Sequence, residues 1–387
     1  MGLHVTDRAI STVCIDCRYL GARPSGIAEL ARALARFAPA LAPDLDFLLL
    51  KNPHAPEGFE AAENVTEHVV TIGSNNPLSM WFLPRFAPLE RCDVFHATAN
   101  TLPAGLSVKT VVTLHDLMWL DHPEWCDQTP YAALKRWYFG QGIRRSLAHA
   151  DRIAAISQAT RRAVLARQPT LAKRCHVTLS GVGERFKPAP HDEATLARYR
   201  LAGSAPFALV VGQFAPYKNH EGALRGFARA VEGCDALIGA KLVLVQRQGP
   251  SRAKLESLAR SLGLAERLVF TGPVSEDDLI QLYSRARALI HPSFCEGFGN
   301  PVAEAMACGC PVITSDRSAM PEVAGNAALL IDPGDPVALA RAIRTVWKAE
   351  SARHRMRRAG LERAQELSWI DFARSNIAIY RELLGSN

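Results

Sequence analysis

Two glutamates, Glu296 and Glu304, stand eight positions apart in the stretch "SFCEGFGNPVAEAMACGCPVITSD", residues 293 to 316. Gly297 and Gly299 lie between them, and Pro301 opens a run rich in alanine. A carboxylate repels phosphate but accepts hydrogen bonds from hydroxyls. A glycine loop that runs into a helix does the opposite, because the free N–H groups and positive dipole end of the helix attract phosphate. A nucleotide sugar carries both kinds of group, with sugar and ribose hydroxyls flanking a diphosphate. On spacing alone, a tight turn followed by a helix whose glutamate favours the dipole accounts for the stretch equally well.

The elements around the glutamates must position them. "ARALIHPS" (residues 286 to 293) is apolar, compact and ends in Pro-Ser, so it reads as a buried strand entering a loop. Asn300 before Pro301 reads as a helix cap followed by proline at the first helical position. "VAEAMA" continues the helix, which puts Glu304 in its first turn, and Gly309 stops it. "CPVITSD" is then the next strand. Strand, glycine loop, helix, strand is the unit of a parallel sheet, and ligands bind at the carboxyl edge of such a sheet.

The same alternation runs along the whole chain. "STVCIDCRYL" leads to Gly26 and a helix pattern with apolar Ile27, Leu30, Ala31, Leu34 and Phe37. "LDFLLLK", "CDVFHAT", "KTVVTLHDL" and "DRIAAISQATRRAV" follow as further strands or strand-helix units. "SGVGERFKPAP" (residues 180 to 190) has no periodicity and reads as a linker. A second series begins with "FALVVGQFAPYKNHEGALRGFARAV", in which Lys218 sits on the loop. It continues through "KLVLV", "RLVFTGPVSEDDLIQLYSRA", the glutamate stretch and "AALLIDPGDPVALARAIRTVW". The expected fold is therefore α/β, two doubly wound Rossmann-like domains facing across a cleft. The domains are read as residues 1–184 and 185–369, with 370–387 a helix crossing back to the first.

Composition bounds the function. A length of 387 residues leads to an expectation of two domains, and 48% hydrophobic with 21% charged residues is an ordinary composition for a soluble globular enzyme. No apolar run approaches ~18 residues, so no spanning helix is expected, and no leader pattern opens the sequence. The nine cysteines are scattered and read as buried free thiols of a reducing cytoplasm. The net charge of +7 is uneven, since residues 131 to 174 hold ten Lys or Arg against Asp151 alone, leaving the remainder at −2. Within it, Lys135, Arg136, Arg144 and Arg145 are interleaved with Trp137 and Phe139. That pattern suits an anionic membrane surface, or a solvated helix with its aromatics in the core. No nucleic-acid-binding signature is present.

Taken in order over most of the chain, these motifs resemble the retaining nucleotide-sugar glycosyltransferases of family four, which have the GT-B fold. The segment with "EGFG" and "EAMACGCPV" is the specific part. The resemblance implies that Glu296 touches donor-sugar hydroxyls near the anomeric centre and that Glu304 accepts from the ribose. It implies that backbone N–H groups around Gly297, Phe298, Gly299 and Asn300 approach the diphosphate or sugar, and that Lys218 neutralises the diphosphate. Gly26 would let the first loop close over it, His115 would face the donor sugar, and Val274 would hold the base through backbone atoms. Many members carry arginine where this chain has Gln213, and Arg247 is a candidate replacement at the end of its strand.

The resemblance further implies no metal and no cofactor beyond the donor, with GDP-mannose the first expectation. The acceptor expected is a glycan or lipid-linked saccharide, and the location cytoplasmic and peripheral on the inner membrane face. Asp44-x-Asp46 is spaced like the metal-binding pair of other transferases but follows Pro43, and reads as a loop. Three other readings compete. A sugar epimerase or related two-domain enzyme shares the architecture but not the glutamate stretch, and a polyanion-binding protein explains only the basic segment. A nicotinamide oxidoreductase lacks Gly-x-Gly-x-x-Gly with an acid about twenty residues on.

Overall fold

The computed structural model describes residues 10–21, 25–55, 62–127, 129–201, 203, 205–245 and 251–385. The strands are β1 Ser11–Asp16, β2 Leu45–Lys51, β3 Val65–Val69, β4 Val94–Ala97, β5 Lys109–Leu114, β6 Arg152–Ala155 and β7 Cys175–Val177. A second set comprises β8 Phe207–Val211, β9 Lys241–Val245, β10 Leu268–Gly272, β11 Ala288–His291, β12 Val312–Ser315 and β13 Ala328–Ile331. The first set forms one seven-stranded sheet in the order β3-β2-β1-β4-β5-β6-β7, the second a six-stranded sheet in the order β10-β9-β8-β11-β12-β13. Every pairing in both is parallel.

Parallel sheets bury both faces, so their strands are apolar throughout. β8 (FALVV), β11 (ALIH) and β12 (VITS) are buried at every position. Helices cover these faces with amphipathic stripes. In the helix Gly26–Leu41 the residues Leu30, Ala31 and Leu34 are buried, as the period of the sequence requires. The strand order reverses between β1 and β4 in one sheet and between β8 and β11 in the other. Loops leaving the carboxyl ends of those neighbouring strands diverge and leave a crevice for ligands.

The chain divides into two compact units. One holds Met1–Asp121, Thr129–Ser180 and Trp369–Asn387, the other His122–Gln128 and Gly181–Ser368. The last helix, Trp369–Gly385, joins the first unit through a buried polar contact: Tyr380 Oη lies 2.5 Å from His96 Nδ1, and Thr113 Oγ1 lies 2.8 Å from His96 Nε2. Burial pushes the His96 imidazole down to about 3, so it is neutral at physiological pH.

Three expectations differ from the structure. β3 and β7 were not anticipated, because "VTEHV" is polar on an edge and β7 is only three residues long. Asp46 is not in a loop but is the second residue of β2, while Asp44 Oδ1 accepts from the Arg381 guanidinium at 2.7 Å. Gly26 is the first, exposed residue of its helix rather than part of the loop before it; Ser25 Oγ caps that helix by accepting from Ala28 N–H at 3.1 Å. None of the nine cysteines is in a disulfide; seven are buried, with Cys126 and Cys295 half-buried.

Candidate active site

Lys218 and Glu296 leave the carboxyl ends of β8 and β11, the two strands that meet where the sheet order reverses. Lys218 ends a short 3-10 turn, Pro216–Lys218, and Asn219 follows in the left-handed conformation (φ 53°). Asn219 caps the next helix by accepting from Gly222 N–H at 3.1 Å, while its amide donates to the carbonyls of Pro292 and Pro333 at 3.1 and 2.8 Å. The asparagine thus ties the lysine turn to the strand that carries the glutamate. Phe294 N–H adds a second tie by donating to Tyr217 O at 2.7 Å.

Lys218 Nζ consequently lies 2.6 Å from Glu296 Oε1, with only 11% and 10% of the two side chains exposed. His291, the last residue of β11, places Nε2 3.0 Å from the same oxygen. Burial alone pushes Glu296 up, but Lys218 and the His291 hydrogen bond outweigh it and bring the carboxyl down to about 2. Burial pushes Lys218 down, and Glu296 outweighs that, holding the ammonium above the usual lysine range. The pair is therefore fully ionised at neutral pH. The backbone of Glu296 is fixed separately: its N–H donates to Ser318 Oγ at 3.1 Å, and that hydroxyl donates to Glu296 O at 2.6 Å.

The helix after the glutamate runs Asn300–Ala307 and is capped by Gly299, not by the Asn300 side chain. Gly299 has φ 100°, which only glycine adopts at low cost, and frees the backbone to turn into the helix. Glu304 therefore falls beyond the first turn, and its Oε2 accepts from the buried Tyr283 hydroxyl at 3.0 Å. Burial, reinforced by Glu304, pushes the Tyr283 hydroxyl well above its ordinary range, so it stays a donor. A Cβ on residue 299 would stand 2.2 Å from Met320 Cε. Gly299→Ala should therefore destabilise the fold by about 1–3 kcal/mol; an unchanged melting temperature would show that the turn is not strained by a side chain.

The other expected residues divide. Gly297 is partly exposed and Phe298 buried, both on the glycine loop. Gln213 is exposed and its amide donates to Tyr217 Oη at 3.3 Å. Val274 is partly buried between β10 and the helix Glu276–Arg285. Arg247 lies outside the described residues. In the first unit, His115 follows β5, with Nε2 2.9 Å from Thr98 O. A carbonyl only accepts, so Nε2 carries the proton and Nδ1 is an acceptor. Burial pushes His115 down, opposed by the Thr98 carbonyl, and the neutral ring suits a hydroxyl ligand.

Residues that the sequence reading missed include His291, Tyr283 and Ser318. His291 was legible as a strand-end histidine five positions before Glu296; the other two carried no local signal. Trp125, on the short helix Pro123–Cys126 of the second unit, has its ring 6.1 Å from Phe294, two residues before Glu296. In the first unit, Arg18 and Asp16 form a buried pair at the end of β1, with Nη2 2.7 Å from Oδ2, and Arg18 also donates to Ser79 Oγ. Among the described residues no group of three or more His, Cys, Asp or Glu is arranged to hold a metal.

The basic segment forms the helix Ala132–His149. Lys135, Arg136, Trp137 and Arg144 are exposed and Arg145 is half-buried. Phe139 differs from the expectation: it turns inward and stacks on Trp119, with centroids 4.7 Å apart. Among the described residues no helix is long and apolar enough to cross a membrane.

Comparison with known proteins fits this geometry. Residues 24–184 match the family described as Glycosyltransferase Family 4, and residues 192–363 match Glycosyl transferases group 1. The chain is 29% identical over 292 residues to O-antigen chain mannosyltransferase B of Escherichia coli, covering 75% of this chain and 74% of that one. It is 29% identical over 285 residues to the serotype-specific mannosyltransferase WbdA of Escherichia coli, covering 72% of this chain but 34% of the relative. The chain thus spans about a third of the length of that second protein. Among solved structures, WaaG, a glycosyltransferase involved in lipopolysaccharide biosynthesis, superposes with a TM-score of 0.72 at 17% identity over 94% of this chain and 99% of that one. Anabaena HepE in complex with UDP-glucose superposes with a TM-score of 0.69 at 16% identity over 96% and 99%. A Family 4 module followed by a group 1 module, on two parallel sheets of the GT-B type, makes this chain a member of the family-four glycosyltransferases.

Proposed function

We propose that the protein is a retaining hexosyltransferase that moves mannose from GDP-mannose to a glycan or lipid-linked saccharide on the cytoplasmic side of a membrane. The observation that carries the reading is the buried Lys218–Glu296 pair at the crevice of the second sheet. Breaking the bond between sugar and diphosphate develops negative charge on the phosphate and positive charge at the anomeric carbon. Lys218 supplies the first with a cation and Glu296 the second with an anion. The N–H groups at the start of the helix Asn300–Ala307 extend the positive side. Glu304, held by Tyr283, accepts from the ribose, and neutral His115 accepts from a donor-sugar hydroxyl.

This division of charge assigns the diphosphate to protein groups and calls for no metal. The mannosyltransferase relatives support the sugar, and the UDP-glucose complex of HepE supports a nucleotide donor for the fold. The test is a panel of nucleotide sugars offered to the purified protein with and without a chelator. GDP-mannose should be hydrolysed fastest, unaffected by chelator, with the released sugar first appearing in the anomeric configuration of the donor. Inverted product would end the retaining reading, and preference for another donor would end the mannose reading. Glu304→Ala should weaken binding of free nucleoside diphosphate by ~1–3 kcal/mol through lost charged hydrogen bonds; titration calorimetry with GDP reads this directly, and parental affinity would remove the ribose contact.

A further inference from the structure

The helix Pro77–Phe82 and the helix Ala132–His149 touch in the first unit. Tyr138 Oη donates to Asn76 O at 3.3 Å, and a Cβ on Gly142 would stand 2.9 Å from Met80 Cε. The contact uses the inner faces, Ser79 and Met80 on one helix and Tyr138 and Gly142 on the other. The remaining faces are open and carry large apolar side chains. Leu78, Trp81 and Phe82 are 47%, 46% and 42% exposed, and Leu134 and Trp137 are 64% and 55% exposed. Seven of the twelve large apolar side chains exposed among the described residues fall between Leu78 and Phe86 or between Tyr131 and Trp137. Monomeric proteins scatter such residues, so their concentration on two contacting helices marks a docking face.

Its charge identifies what docks. Ala132–His149 contains Lys135, Arg136, Arg144 and Arg145 and no Asp or Glu. Leu134, Trp137, Gln141 and Arg144 recur at helical spacing and are all exposed, so apolar and basic groups share one stripe. On the neighbouring segment the Arg85 guanidinium lies 5.4 Å from the Phe82 ring centre. A protein partner that matched these cations would need a complementary acidic surface of fixed shape; a fluid layer of anionic headgroups over hydrocarbon satisfies both chemistries without shape.

We infer that these two helices form the membrane-docking face of the protein, with Trp81 and Trp137 entering the interface of an anionic bilayer and Lys135, Arg136 and Arg144 meeting its headgroups. The face shares no residue with Lys218, Glu296 and Glu304, which belong to the other unit. The expectation from composition covered only the second helix; Leu78, Trp81 and Phe82 are brought to it by folding.

The test is co-sedimentation of the full chain with phosphatidylcholine vesicles containing or lacking phosphatidylglycerol. The parent should bind the anionic vesicles at low salt, leave them at high salt, and show a blue shift of tryptophan emission on binding. Each basic residue near such a surface strengthens binding roughly fivefold. Lys135→Glu with Arg136→Glu and Arg144→Glu should therefore weaken partition by about 10²-fold or more. Trp81→Ser with Trp137→Ser should weaken it at least tenfold and abolish the blue shift. Both variants should hydrolyse nucleotide-sugar donor at the parental rate, so failure of docking and failure of the transfer reading are read separately. Absence of parental binding, parental binding by either variant, or a parental dimer that the tryptophan variant dissociates would each overturn the proposal.

Discussion

Turnover of Lys218→Ala is expected to fall by more than ~10²-fold, the order lost when one transition-state charge partner is removed. The structure explains both the size of the effect and how to interpret it. Lys218 is the cation of a nearly buried pair, and removing one partner of such a pair costs about 3–5 kcal/mol of stability because the other is left uncompensated. A folding defect therefore has to be separated from a catalytic one. Lys218→Gln does this, since its amide still donates to Glu296 while the charge is gone. The expected result is a variant that melts below the parent yet stays folded, binds the nucleotide-sugar donor, and releases nucleoside diphosphate at least ~10²-fold more slowly. Parental turnover in the glutamine variant would mean that the diphosphate is neutralised elsewhere.

Glu296→Gln should abolish transfer while leaving affinity for free nucleoside diphosphate close to the parental value, because the proposed reaction has Glu296 act on the sugar rather than on the diphosphate. Glutamine keeps an acceptor oxygen for Lys218 and His291, so the pocket should survive. What it loses is the negative charge that the proposed reaction sets against the developing cation. The same variant has a second readout in acid. Glu296 sits at about 2 in the folded protein against an ordinary 4.5, so its ionised form contributes stability above about pH 4.5 that is lost as the pH falls towards 2. That part of the acid-unfolding profile should be missing in Glu296→Gln. Comparable transfer rates in the variant and parent would remove Glu296 from the chemistry.

The site was legible in the sequence wherever its logic is local. Glu296 and Glu304 share one strand-loop-helix unit, and eleven of the thirteen strands among the described residues are legible as apolar runs between turn residues. Local reading was wrong where two local rules competed. Asn300 has the side chain of a cap, yet the cap is Gly299, because the chain must turn through φ 100° beside Met320 before the helix begins. Phe139 looked like part of the basic face, yet the ring of Trp119 draws it inward.

Most element types, the parallel sheets and the place of the glycine loop at a sheet edge follow from periodicity and turn chemistry, which act over a few residues. The folded arrangement alone supplies the partner of Glu296. Lys218 is 78 positions away, and the two meet because β8 and β11 are neighbours in the sheet. It also decided that the carboxyl of Glu296 is fully ionised, since Lys218 and His291 must converge on it to outweigh the cost of burial. Charge on a buried group depends on everything packed around it, and that packing is a property of the folded chain rather than of any segment.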